Sequence, residues 1–473
     1  MTVRQVNDTK PLWLSYNQTR RGKAFLLFVL LELMAVAGSL LLSYKIVLIA
    51  AVAGVILFLD FWDVRISLVL AVAFSTLIQY GAKEKTLFEM SILTLVFVSL
   101  LVGVYAKFCL EGLRIRGSKL YLPLVALIFI SLLAALRGVL SSYNMALAGF
   151  ELYAFLCFGV IFLVVNLFDS PATIRRSFYV FVIVALYSST IGLAAYLQAG
   201  HRIGGHLFGA FPAMIALVLL NLFFYSEKRG DRFLYLLISI PLILHLLCSF
   251  TRGYWLGFLG GLAISYAVFV WQSRDSLHKR LFVFARAIVL GGILVYMLLI
   301  FASKLLPFDN LPHEASRRLE SSFTWAPFSS AFARLVEYKA CWDTIKENPV
   351  LGHGFGYVLE YKDPLSSRVH SQWYIHQSYL YMALKMGFLG LIIFLWMFYV
   401  FFRDSIRKCI RIQSAFFKGL AFGFIGNALQ LLIAGLTNYE FAAVVNTCYL
   451  AFAMGAVVVI GETWSSGPHL VKS

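Results

Sequence analysis

Apolar residues run through this chain in blocks of about twenty, each closed by a short segment of charges or turn residues. Twenty residues of helix rise about 30 Å, the thickness of a bilayer's hydrocarbon core. Such blocks fall at residues 24–42, 46–62, 64–80, 87–110, 120–136, 151–168, 177–199, 207–225, 232–248, 253–271, 281–303, 377–402, 414–434 and 441–460. The second and third are short for a crossing, so the pattern predicts 12–14 transmembrane helices. A membrane barrel would instead alternate apolar and polar residues in segments of about ten. The expected fold is all-α, a polytopic transmembrane helix bundle.

The basic residues orient that bundle. With the N-terminus inside, one set of loops holds Arg20, Arg21 and Lys23; Arg114, Arg116 and Lys119; Arg175 and Arg176; Lys228, Arg229 and Arg232; Arg274, Lys279 and Arg280; and Arg403, Arg407, Lys408 and Arg411. The opposite short loops hold only Lys45, Lys83, Lys85, Arg137, Arg202 and Arg252. Cytoplasmic loops concentrate Lys and Arg, so both termini are expected in the cytoplasm. No short apolar stretch with a small-residue cleavage site opens the chain, so the first helix is expected to stay as an anchor.

One connection is far longer than its neighbours. Residues 304–376 form an outer segment of roughly 70 residues, beyond ordinary helix connections. Within it, AFARLVEYKACWDTIKE at 331–347 spaces Leu335, Tyr338, Trp342 and Ile345 as one apolar stripe, predicting an amphipathic helix. Asn348-Pro349 ends that helix, and a glycine-rich LGHGFGYV follows. The reading is therefore a bundle over 1–303, a periplasmic loop subdomain with amphipathic helices over 304–376, and returning helices over 377–473. No internal repeat of fixed period is visible, which disfavours inverted-repeat transporters.

Composition changes the picture little. Of 473 residues, 61% are hydrophobic and 13% charged, against roughly 25% charged in soluble domains; a soluble enzyme, a secreted disulfide scaffold and a disordered chain are all excluded. The net charge of +17 sits in the loops that orient the bundle, so no nucleic acid is expected. Six scattered cysteines without a CxxC or Cys/His cluster indicate neither a metal site nor a disulfide framework.

The charges on the wrong side carry the chemistry. Arg202 in GHRIGGH, Arg252 in SFTRGYWLGF and Arg334 at the amphipathic helix all lie outside, where arginine is scarce. Each alone reads as an interfacial cation bonded to lipid phosphate. Three beside one large outer loop favour an anion site, because guanidinium groups grip a diphosphate bidentately. His376 lies where the outer loop enters the next helix, either as a proton acceptor near neutral pH or as an interfacial histidine bonded to backbone. His201, His206, His353 and His370 are outer histidines too.

The stretch from Arg334 to Leu389 holds Arg334, then ENPVLGHGFG, then HQSYL from His376, then KMGFLG. It resembles the signature region of the O-antigen ligase and O-antigen polymerase family of bacterial envelope glycosyltransferases. That family shows an arginine before an amphipathic helix, an N-P-x-x-G-x-G-x-G turn, H-N-x-Y-L and a small G-x-x-G helix face. Ser249 to Gly253 and the Arg202-x-x-Gly205 loop resemble its upstream pattern, and the likeness spans roughly residues 195–400. Gln377 replaces the usual asparagine, and Lys385 stands where an acidic residue is common.

The resemblance implies a metal-independent inner-membrane glycosyltransferase without a cofactor. It would move a glycan from undecaprenyl pyrophosphate to an acceptor hydroxyl on the periplasmic side. Arg252 and Arg334 match the donor-diphosphate arginines and His376 the general base. Arg202, Gln377 and Tyr379 complete the expected substrate contacts. The first expectation is an O-antigen ligase whose acceptor is lipid A–core; a polymerase extending lipid-linked repeats, or a ligase acting on protein hydroxyls, is the close alternative. A flippase or transporter is the distant one, and would call for ionisable residues lining the bilayer midplane; only Glu32, His245 and Arg286 offer themselves. The outer aromatics Trp325, Trp342, Trp373 and Tyr374 are read first as interfacial anchors and second as sugar-stacking rings.

Overall fold

The computed structural model describes residues 63–73, 75, 104–105, 115–199, 210–272, 330–362 and 368–465. The chain divides into two compact units, Met1–Phe74 with Ala82–Ile115, and Ser75–Gly81 with Arg116–Ser473. In the first, residues 63–73 are helical and Asp63 pairs with Arg65 at 2.9 Å.

The second unit holds eleven α-helices among its described residues: α1 (Tyr121–Leu140), α2 (Met145–Leu156), α3 (Val160–Leu167), α4 (Pro171–Ala199), α5 (Ala210–Tyr225), α6 (Arg229–Cys248), α7 (Arg252–Gln272), α8 (Ser330–Ile345), α9 (Ser378–Cys409), α10 (Ala415–Ala434) and α11 (Val444–Ser465). A 3₁₀ turn, Cys157–Gly159, joins α2 to α3. Eight helical stretches among the described residues are long and apolar enough to cross a membrane. This is an all-α, polytopic membrane protein.

Burial is inverted relative to a water-soluble bundle. On α1, Leu124, Leu127, Ile130, Ser131 and Ala134 face inward, while Leu122, Val125, Phe129, Leu132 and Leu136 are exposed. An exposed stripe of Leu, Val and Phe in place of a polar one is the face of a helix solvated by lipid. The apolar stretch of α11 is wholly buried, so α11 is an inner helix of this unit.

Glycines bring three helices to backbone contact. Gly253, Gly257 and Gly261 line one face of α7; methyl groups there would strike Asn438, the Gln430 carbonyl and the Gly426 carbonyl. Gly419 and Gly423 of α10 lie equally close to the backbone of α5 at Leu222 and Val218. Without a hydrophobic drive between helices in lipid, such close approach supplies the packing.

One end of the bundle is tied by charges. Lys119 and Lys408 reach Asp404 at 3.3 and 2.8 Å, Lys408 reaches Glu462 at 3.4 Å, and Arg116 reaches Asp169 at 2.8 Å. These belong to the loops that the Lys and Arg pattern groups together. The described part of the outer segment, from α8 onward, packs at the opposite end of α9.

The window 377–402 is predicted as one continuous helix with a small glycine face, and the structure breaks it. Gly387 has φ 69° and ψ −179°, a conformation that glycine alone adopts without strain. The loop after α8 fills the break. Phe388 and Leu389 donate their backbone N–H groups to the Pro349 and Val350 carbonyls, while the Leu384 and Lys385 carbonyls accept from His353 and Gly354. Irregular backbone at membrane depth survives only where protein satisfies it, and here the loop does so on both sides of the gap. Gly352 and Gly354 take positive φ and press on Lys385 and on Gly138 of α1. Arg137 donates to Asn348 Oδ1 at 2.7 Å where the loop begins. The loop then leads into a two-stranded antiparallel hairpin, β1 (Leu359–Lys362) and β2 (Val369–Gln372), with Tyr361 opposite His370.

Candidate active site

The hairpin's second strand delivers the chain to His376 at the start of α9. Gln377 is the N-cap: its side chain accepts from the Leu380 N–H at 2.7 Å, so its oxygen is spent on the helix. Ser378 donates its N–H to the Gly435 carbonyl at 2.8 Å and its hydroxyl to the Asn438 carbonyl at 2.7 Å. Tyr379 donates to the Leu432 carbonyl at 2.6 Å. These contacts fasten the residues after His376 to the turn between α10 and α11, and they engage the Tyr379 hydroxyl within the protein.

Glu337 of α8 holds His376 twice. Its Oε1 accepts from the His376 backbone N–H at 2.9 Å, and its Oε2 lies 2.8 Å from Nδ1. A carboxylate oxygen only accepts, so Nδ1 is the nitrogen that donates to it, and in the neutral ring the lone pair is on Nε2. Glu337 is buried while the imidazole is partly exposed. Tyr338 adds a bond from its hydroxyl to the His376 carbonyl at 3.1 Å. The result is a partly open imidazole of fixed tautomer, the geometry of an oriented general base.

Glu337 is absent from the sequence-based candidates because the stripe of Leu335, Tyr338, Trp342 and Ile345 draws the eye to the apolar face of α8. Leu335 and Trp342 of that stripe are exposed, and Glu337, Cys341 and Ile345 are buried. Trp342 packs beside Phe388 of α9, 6.1 Å between ring centroids, above the exposed Leu389 and Ile392. On this helix Leu335 and Trp342 point outward with Lys339 and Asp343, and Glu337 points to His376.

Arg334 lies on α8 one turn before Glu337 and Tyr338, half-buried, so its side chain shares their face. Its charge acts on the Tyr338 phenol, whose pKa burial raises and Arg334 partly lowers again. Arg252 is the first residue of α7. Its neighbour Gly253 touches Thr437 and Asn438, the turn to which Ser378 is fastened. Glu337 thus ties the helix that carries Arg334 to His376, while the turn 435–440 lies beside both Ser378 and the start of α7 at Arg252. Arg202, His201, His206 and Trp325 fall outside the described residues. Among the described residues no three His, Cys, Asp or Glu side chains gather as a metal-binding group.

Lys385, unpaired in the sequence reading, has a partner. Its Nζ lies 2.7 Å from Glu151 Oε1 of α2 and donates to the Tyr357 carbonyl at 2.5 Å, with both side chains fully buried. Glu151 also accepts from the Gly356 N–H at 2.6 Å and the Tyr381 hydroxyl at 3.0 Å. The pair joins α2, α9 and the glycine loop in one buried network.

A second buried carboxyl sits in the turn beside the site. Glu440 accepts from Asn438 at 3.0 Å and Asn446 at 2.6 Å, and neither amide carries a charge. Burial pushes its pKa up to about 8, against the pull of the two amides. Between the ordinary glutamate value near 4.3 and about 8, the folded state therefore binds a proton that the unfolded state has released. Stability contributed by this group is complete below that window and is lost as pH rises through it. Unfolding free energy in detergent is expected to fall between pH 5 and 8 by at most about 1.4 kcal/mol per pH unit, seen as a falling thermal midpoint, and Glu440→Gln to flatten that slope. An unchanged slope in the variant would assign the dependence elsewhere.

The family model described as O-antigen ligase matches residues 236–395. That region runs from within α6 to within α9 and contains Arg252, Arg334, Glu337 and His376, the glycine loop and the helix break. No curated protein matches the chain.

Proposed function

We propose that this chain, a member of the O-antigen ligase family, transfers a glycan from undecaprenyl pyrophosphate to an acceptor hydroxyl at the periplasmic face of a bacterial inner membrane, with lipid A–core as the acceptor. The observation that carries this reading is the Glu337–His376 pair, 2.8 Å apart, at the end of the bundle that also holds Arg334 and Arg252. Among the described residues, Arg116, Lys119 and Lys408 of the Lys- and Arg-rich loops form their ion pairs toward the other end of α9, which the positive-inside rule assigns to the cytoplasm. Both termini are then cytoplasmic and the site faces the periplasm.

In this reading His376 Nε2 takes the proton of the attacking hydroxyl. A bond forms between that oxygen and the anomeric carbon, and the bond from that carbon to the diphosphate oxygen breaks. The lipid diphosphate departs with the electron pair. Arg252 and Arg334, joined by Arg202, offset the negative charge that develops on it. Pre-placed guanidinium groups do here what a divalent cation does elsewhere, so the reaction is metal-independent. The one charged pair buried within the described spans, Lys385 and Glu151, is spent on itself and on loop backbone, which speaks for a structural use rather than a transport path.

The test is transfer by purified protein in detergent or nanodiscs, given a defined undecaprenyl-pyrophosphate glycan and alternative acceptors. Product on lipid A–core, at a rate unchanged by excess chelator, is expected. Product only on a second lipid-linked repeat would make the chain a polymerase. Strict dependence on a divalent cation would overturn the role given to the arginines.

A further inference from the structure

Five tyrosines of α8, the start of α9 and the segments beside them divide by what their hydroxyls do. Tyr338, Tyr379 and Tyr381 donate to the His376 carbonyl, the Leu432 carbonyl and Glu151. Tyr374 and Tyr439 have no hydrogen-bond partner among the described residues, and both rings are partly exposed. Their centroids lie 4.7 Å apart, and that of Tyr374 lies 5.2 Å from the imidazole of His376. Trp373 closes the group, 5.2 Å from Tyr374 and 6.4 Å from Tyr439, and is itself backed by Phe150 at 5.6 Å.

This cluster differs from an interfacial belt. Trp342, the outward ring of α8, faces away from the site beside lipid-exposed residues. Trp373, Tyr374 and Tyr439 instead pack against one another, and the elements that carry them are fixed: Ser378 binds the Asn438 carbonyl, and Asn438 and Asn446 hold Glu440 next to Tyr439. Burial pushes the Tyr439 phenol up to about 12 and raises Tyr374 as well, so both remain neutral donors at physiological pH. Rigid aromatic rings with idle hydroxyls, set beside a proton acceptor, suit a ligand with an apolar face rimmed by hydroxyls. A pyranose ring has that shape.

We infer that Tyr374 and Tyr439, backed by Trp373, form the platform for the acceptor's terminal sugar ring, holding its attacking hydroxyl against His376. This rests on the proposed transfer reaction. The acceptor is favoured over the donor for this platform because the ring whose hydroxyl loses a proton must lie against the imidazole, whereas the donor is held through its diphosphate by the arginines.

Two measurements test it. In transfer assays, Tyr439→Leu and Tyr374→Leu are expected to raise the acceptor KM about tenfold and leave the donor KM unchanged. Tyr439→Phe and Tyr374→Phe, which keep the rings and the packing, should raise it a few-fold. Equal rises for donor and acceptor, or an acceptor KM unmoved in the Phe and Leu variants, would overturn the assignment. The second measurement needs no transfer: binding of a lipid-free core oligosaccharide, read by saturation-transfer NMR on the full chain in nanodiscs. Binding that weakens in Tyr439→Leu supports the platform even if no transfer is found, and absence of binding to the unaltered protein overturns it.

Discussion

His376→Ala is expected to abolish glycan transfer, and Glu337→Gln to lower its turnover by about 10²–10⁴, both at normal membrane levels. A positioned general base contributes roughly 10²–10⁴, and losing the carboxylate that fixes its tautomer costs a comparable factor in other histidine-based sites. Glu337→Gln is the more informative change. Its amide oxygen still accepts from the His376 backbone N–H, so the loop keeps its anchor. Its amide NH₂ then faces Nδ1, and the ring must turn or hand its hydrogen to Nε2, the nitrogen that receives the proton. The loss should appear in kcat, with the KM values of both substrates little changed, and the thermal midpoint should stay near that of the unaltered chain. Transfer at the original rate by both variants would remove His376 and Glu337 from the reaction.

That pair also shows what the sequence makes legible. The spans are readable because lipid demands about twenty apolar residues per crossing, and windows such as 120–136, 232–248 and 414–434 match α1, α6 and α10 closely. The arginines are readable as cations in the wrong place, whereas His376 is singled out among five outer histidines only by the family resemblance. Glu337 is not. Helical periodicity marks the apolar stripe of α8 and says nothing of a lone acidic residue between Val336 and Tyr338, and only the packing of α8 on the start of α9 shows that Glu337 is buried while Leu335 and Trp342 are exposed. Lys385 is hidden for another reason: its partner Glu151 lies 234 positions earlier (385 − 151), and nothing local marks two charges in separate spans as neighbours. The break at Gly387 is equally silent, since its cause is a loop that starts at Pro349 and inserts from outside.

Lys385→Met is the substitution expected to cost most stability. It leaves Glu151 fully buried beside the glycine loop with one ammonium removed, and stripping one partner from a buried pair costs about 3–5 kcal/mol. Set against a total of roughly 5–15 kcal/mol for a folded domain, that is enough to lower yield and thermal midpoint sharply. The damage should also reach the site, because the Lys385–Glu151 network anchors the Gly356 N–H and the Tyr357 carbonyl, and the loop they belong to fills the break in α9. Glu151→Gln alone should be milder: the amide oxygen still accepts from the Gly356 N–H, and a buried lysine can lose its proton. The double variant Lys385→Met, Glu151→Gln removes both charges, and a neutral replacement of a buried pair is often tolerated. A double-mutant cycle on thermal stability in detergent reads the coupling directly. The double variant should recover a large share of what Lys385→Met loses. Losses that simply add, or a Lys385→Met protein as stable as the parent, would mean that the ion pair is not what holds the loop inside the helix break.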